Sequence, residues 1–179
     1  MSPTSEAVMQ ALKQRIRHVP DFPKPGILFY DVTTLLQDGE GFRLAVDEMS
    51  TPYRDAGVDM IVGIESRGFI FGSAIADRLR TGFAPVRKPG KLPSTTRRAS
   101  YALEYGTDAL EIHDDAVKPG QRVLIVDDLL ATGGTAAATV RLVRDLGAEV
   151  LGVQVLIELV ALKGRDRLKD ERVEAVLQY

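Results

Sequence analysis

With 179 residues, of which 45% are hydrophobic and 27% charged, the chain has ordinary globular composition and is long enough for one domain with a substantial core. A formal net charge of -2 supplies no excess of cations to track a phosphate backbone, which excludes a general nucleic-acid binder. The lack of cysteine removes disulfides, thiolate metal sites and a cysteine nucleophile, and two histidines, His18 and His113, are too few for a multi-histidine metal centre.

Met1 to Glu6 lack the basic-then-apolar signature of a secretory signal. A helix is expected next, with Ser5 as its N-cap and Val8, Leu12, Ile16 and Val19 at helical spacing. Three prolines and a glycine in Pro20 to Gly26 then make a rigid turn that delivers Ile27, Leu28, Phe29 and Tyr30 in extended form. A second helix is expected from about Gly41 to Ala56, with Phe42, Ala45, Val46, Met49 and Tyr53 on one face and Pro52 kinking or shortening it. Short apolar runs follow: strands at Met60 to Ile64, Phe83 to Arg87, Arg122 to Val126, Val150 to Ile157 and Ala175 to Gln178. Helices from about Gly68 to Arg80 and Thr135 to Leu146 lie among them. Continuous apolar strands alternating with helices predict an α/β fold with a mostly parallel central sheet flanked by helices. Between Lys88 and Gln121 that rhythm breaks. Ala99 to Tyr105 and Ala109 to His113 flank Gly106-Thr107-Asp108 and read as a β-hairpin, the kind of insertion that serves as a lid or binding loop. The most apolar stretch, Val150 to Leu162, is interrupted by Gln154 and Glu158 and is too short to cross a bilayer, so a cytoplasmic protein with no membrane partner is expected.

The chemistry concentrates in Val123 to Thr135, which reads VLIVDDLLATGGT. Four apolar residues form a buried strand, Asp127 and Asp128 stand at its carboxyl end, and Ala131, Thr132, Gly133, Gly134 and Thr135 open the next helix. Ligands of open α/β sheets sit beyond the carboxyl ends of strands. A helix start offers N–H groups and partial positive charge, and the glycines let a phosphate approach the backbone. Neither the ATP-type Gly-Lys-Ser/Thr nor the dinucleotide glycine spacing is present. A monophosphate cup beside two carboxylates that accept from vicinal hydroxyls suits a ribose-5-phosphate. Two basic segments at neighbouring strand ends suit a further anionic group: Ser66, Arg67 and Gly68 after the first parallel strand, and Arg87, Lys88 and Lys91 after the second.

The thirteen-residue run resembles the signature of type I phosphoribosyltransferases, and its fuller VDDLLATGGT form resembles their adenine branch. The resemblance extends from Pro20-Asp21-Phe22-Pro23 to Leu162-Lys163-Gly164-Arg165. It implies a single phosphoribosyltransferase domain over residues 1–179, with an N-terminal helix and base-binding hood over about 1–40 and a flexible catalytic hairpin over about 93–113. Its implied activity is adenine plus phosphoribosyl pyrophosphate giving AMP and pyrophosphate, a purine salvage reaction, with Mg²⁺ held through the substrate and a homodimer as the assembled form. Residues 131–135 are implied to hold the 5-phosphate, Asp127 and Asp128 the ribose hydroxyls, and the two basic segments the pyrophosphate. Ser100 to Tyr105 match the loop motif, so Glu104 is implied as the base that removes the adenine ring proton, with Tyr105 beside it. Leu28, Phe29, Tyr30 and Leu129 are the candidate adenine contacts. Two departures stand out: Glu65 replaces the family's usual Asp, and Tyr30 follows Phe29 where the family often has Arg. Another acceptor base, or a ligand-sensing regulator with the same fold, are the alternatives.

Overall fold

The computed structural model describes residues 5–102 and 106–179. The chain divides into two units, the first ending at Glu48 and the second running from Met49 to Tyr179.

In the first unit, α1 (Ser5–Lys13) contributes Val8 and Leu12 to the core, and Ser5, expected to precede the helix as its cap, lies within it. The helix stops well before Val19. Arg17–Pro20 instead forms β1, antiparallel to β2 (Leu28–Asp31), with Val19 opposite Phe29. The reason is the turn between them. Asp21 adopts a left-handed conformation and its carboxylate accepts the Gly26 N–H at 2.7 Å, so the chain reverses and β1 gains a partner that helix spacing could not reveal. A short helix not anticipated from the sequence, α2 (Thr33–Gln37), buries Leu35. α3 (Gly39–Ser50) then starts earlier than expected because Asp38 caps it, accepting from the Glu40 and Gly41 N–H groups at 3.0 Å each. α3 gives way to a 3₁₀ turn at Thr51–Tyr53, where Pro52 cannot donate to a continuing helix.

In the second unit, five strands form one parallel sheet. They are β3 (Met60–Ile64), β4 (Gly82–Val86), β7 (Arg122–Leu130), β8 (Glu149–Glu158) and β9 (Val173–Gln178), in the order β4-β3-β7-β8-β9. α4 (Gly68–Leu79) crosses from β3 to β4, and α5 (Gly134–Asp145) from β7 to β8. These crossovers run in opposite directions, so right-handed connections put the helices on opposite faces of the sheet. The order therefore reverses between β3 and β7, and a crevice opens beyond their carboxyl ends, where such sheets bind ligands. Burial follows the sequence pattern: Val123, Leu124, Ile125 and Val126 are each 0% exposed. Between β4 and β7, β5 (Thr96–Ala102) and β6 (Thr107–His113) form an antiparallel hairpin whose Ala99, Leu110 and Ile112 join the α5-side core. The arms thus begin earlier than expected, at Thr96 and Thr107.

Candidate active site

β7 is longer than its apolar run. It stays paired with β8 to Leu130↔Glu158, whereas its pairing with β3 ends at Gly63↔Val126. Asp127 and Asp128 therefore lie inside the strand, which runs on past the Val126 end expected from the sequence. Because β3 has already stopped, they still meet the crevice. There a cavity of about 270 Å³ is lined by Glu65, Ser66, Arg67, Lys88, Leu110, Asp127, Asp128, Leu129 and Thr135. A second cavity of about 80 Å³ is lined by Asp127, Leu129, Leu130, Ala131, Thr132, Gly133, Gly134, Thr135, Ala136 and Val155. Asp127, Leu129 and Thr135 border both, so the acidic pair and the Gly/Thr turn converge on one place. The smaller volume suits a single phosphate group.

The turn is shaped by Gly133. Its φ of 79° and ψ of 0° are left-handed, and it caps α5, with the Ala137 N–H donating to its carbonyl at 2.9 Å. A Cβ at Gly133 would lie 2.3 Å from the carbonyl oxygen of Gly164, and one at Gly164 would lie 2.4 Å from that of Ala131. Lys163 and Gly164 lead the 3₁₀ turn Gly164–Arg167 across the back of the cup, so two backbones meet there without side chains between them. In the sequence Gly164 stands out only as part of the family resemblance, with no sign of this role. Glycines at two distant positions carry no signal of their mutual contact.

Charge is arranged in pairs. The Arg67 guanidinium contacts the Asp128 carboxylate, which is almost fully buried, and the Asp128 N–H donates to Asp127 Oδ1 at 2.8 Å. Burial, followed by the adjoining Asp128 carboxylate, raises the Asp127 carboxyl well above the ordinary range. Glu65 accepts from Arg87 at 3.1 and 3.2 Å and from the Lys88 N–H at 2.9 Å, and the Arg87 hydrogen bond holds its carboxyl below the usual range. The longer Glu65 thus reaches the Arg87 guanidinium. Ser66 and Lys88 reach the larger cavity. Gly68 begins α4 so close to Asp127 that a Cβ would lie 2.9 Å from Asp127 Oδ1. Arg87 is engaged by Glu65 and the Lys91 carbonyl, and Lys91 itself is exposed.

Leu28, Phe29 and Tyr30 lie on β2 of the first unit. Phe29 stacks edge-on against Phe22 and Tyr30 against His18, each pair 5.1 Å apart. Glu104 and Tyr105 lie outside the described residues. Among the described residues no group of three or more His, Asp or Glu side chains is placed to hold a metal ion. The cavity's carboxylates fit an ion held mainly through phosphate oxygens, because Glu65 and Asp128 already face Arg87 and Arg67.

Residues 33–177 match the phosphoribosyl transferase domain. The chain belongs to the phosphoribosyltransferase family. As a phosphoribosyltransferase it is 56% identical to the adenine phosphoribosyltransferase of Acidobacterium capsulatum over all of this chain and 99% of that one. It is 59% identical to the one from Symbiobacterium thermophilum, over 93% of this chain and 98% of the relative. Its fold superposes on the crystal structure of adenine phosphoribosyltransferase from Rhodothermus marinus with a TM-score of 0.93 at 53% identity, covering 97% of this chain and 99% of that one. The Saccharomyces cerevisiae enzyme, solved with an imino-altritol bisphosphate and adenine, gives 0.91 at 41% identity over 96% and 99% of the two chains. The type I phosphoribosyltransferase fold expected from the sequence is therefore the one observed.

Proposed function

We infer that this chain transfers the phosphoribosyl group of phosphoribosyl pyrophosphate to adenine, forming AMP and pyrophosphate. The observation that carries the reading is the convergence of the Gly/Thr turn and the Asp127–Asp128 pair on adjoining cavities, with Arg67 and Lys88 on the wall of the larger one. The N–H groups of residues 131–135 hold the 5-phosphate and the aspartates hold the ribose hydroxyls. Ser66, Arg67, Gly68 and Lys88 meet the departing pyrophosphate, with Arg87 and Lys91 backing them. Glu65 fixes Arg87 and the Lys88 backbone. Mg²⁺, when bound to the pyrophosphate oxygens, neutralises charge on the leaving group. As an adenine ring nitrogen bonds to the anomeric carbon, the bond from that carbon to pyrophosphate breaks, and Glu104 takes the ring proton. Adenine recognition is assigned to Leu28, Phe29 and Tyr30, and to Leu129. A homodimeric assembly and a cytoplasmic location belong to the same proposal; among the described residues no helix is long and apolar enough to cross a membrane.

An acceptor panel tests the reading. With phosphoribosyl pyrophosphate and Mg²⁺, adenine is expected to release pyrophosphate with a kcat/KM at least ~100-fold above that for guanine, hypoxanthine, xanthine or orotate, since a site built to hydrogen-bond one base leaves groups unpaired with another. Chelating Mg²⁺ is expected to suppress the release. Preference for another base would reassign the acceptor, and no release with any base would favour a ligand-sensing regulator.

A further inference from the structure

Lys88 lines the larger cavity, and its ammonium is held from the side by the hairpin. It donates to the Asp108 carboxylate and, at 3.2 Å, to the Tyr101 hydroxyl, which itself donates to the same Asp108 oxygen at 3.1 Å. Tyr101 and Asp108 face one another across the β5–β6 ladder, one pair from its last. An ammonium has three N–H groups, and this triangle engages two of them. Tyr101 also packs beside Gly134, where a Cβ would lie 3.1 Å from its ring. The arrangement therefore reaches the wall of the larger cavity, through Lys88, from the two strands of the hairpin.

A lysine stem has many rotamers, and binding an anion with an unrestrained one costs entropy on association. A restraint already in place removes that cost. Asp108 also brings negative charge near the leaving group, an opposing effect that solvent screens because Asp108 and Lys88 are both partly exposed. Burial disfavours the Lys88 ammonium, yet the Asp108 and Tyr101 hydrogen bonds outweigh it and raise the group further above neutrality.

We propose that Tyr101 and Asp108 are positioning residues that hold the Lys88 ammonium at the cavity wall, so that the donor's pyrophosphate meets a cation already in place. This rests on the reading that Lys88 binds pyrophosphate. Steady-state kinetics with varied phosphoribosyl pyrophosphate test it on Asp108→Ala, Asp108→Asn, Lys88→Met and the Lys88→Met/Asp108→Ala double variant, with thermal melting as the folding check. Asp108→Ala is expected to raise KM for the donor about two- to tenfold, the range of one hydrogen-bonding contact, with a smaller change in kcat. Asp108→Asn, which keeps a carbonyl acceptor, is expected to recover most of that loss, and Asp108→Ala to add nothing once Lys88 is Met. A lowered KM in both Asp108 variants would mean simple charge repulsion and overturn the proposal. So would an equal Asp108→Ala loss with and without Lys88. If Lys88→Met leaves the donor KM unchanged, the pyrophosphate reading of Lys88 fails and the positioning role fails with it. If Lys88→Met raises KM and Asp108→Ala does not, only the positioning role fails.

Discussion

Gly133→Ala is expected to lower kcat/KM for phosphoribosyl pyrophosphate by at least ~100-fold, the scale on which a displacement of about 1 Å in a binding group acts. Two effects combine. Alanine in the left-handed conformation costs roughly 1–2 kcal/mol. Its Cβ would also lie 2.3 Å from the Gly164 carbonyl oxygen, a backbone atom that cannot rotate away. Gly164 is itself pinned, because Leu130 and the Ala131 carbonyl stand within 3 Å of where its own Cβ would be. The strain must therefore pass into the N-terminus of α5, whose N–H groups are the ones proposed to bind the phosphate. Gly120 separates strain from displacement. Its φ of 80° is equally left-handed, but nothing lies within 4 Å of its missing Cβ. Gly120→Ala is expected to lower the melting temperature modestly and leave kcat/KM intact, while Gly133→Ala loses both donor turnover and AMP affinity. Equal kinetics in the two variants would contradict the cup.

Glu104→Gln is expected to leave the fold unchanged and to reduce kcat by at least ~10-fold, with 10²- to 10⁴-fold typical of a lost general base. Glutamine keeps the size and hydrogen-bonding capacity of the side chain but cannot take the adenine ring proton. The loss should therefore fall on the chemical step, with KM for adenine little altered. Residue 104 belongs to the segment joining β5 to β6, strands anchored by buried Ala99, Leu110 and Ile112, so a polar exchange at this position leaves those anchors untouched. Single-turnover rapid quench measures the chemical step even where product release limits steady-state turnover. An unchanged single-turnover rate would remove Glu104 from the mechanism.

The elements most legible in the sequence are those whose side-chain pattern is decided locally. Val123 to Val126 reads as a buried strand because all four residues are apolar, and the Gly/Thr turn announces the start of α5 by composition alone. What the sequence concealed depends on partners far along the chain. Val19 fits a helical stripe with Ile16 and Leu12, but its antiparallel pairing to Phe29 prevails over local periodicity. β7 runs on to Leu130 because β8 is long enough to keep pairing it, and this draws Asp127 and Asp128 into the strand. The site followed the same division. Its Gly/Thr turn and acidic pair were readable as a motif. The Gly133–Gly164 contact, the Arg67–Asp128 and Arg87–Glu65 pairs, and the Asp108–Tyr101 hold on Lys88 were not, since each joins residues that only the folded chain brings together.

A crystal structure with AMP bound tests the central assignment most directly. The 5-phosphate is expected within hydrogen-bonding distance of backbone N–H groups of residues 131–135, with the two ribose hydroxyls on Asp127 and Asp128. A phosphate bound elsewhere, or a pentose with neither aspartate against it, would overturn the transferase site assigned to this crevice.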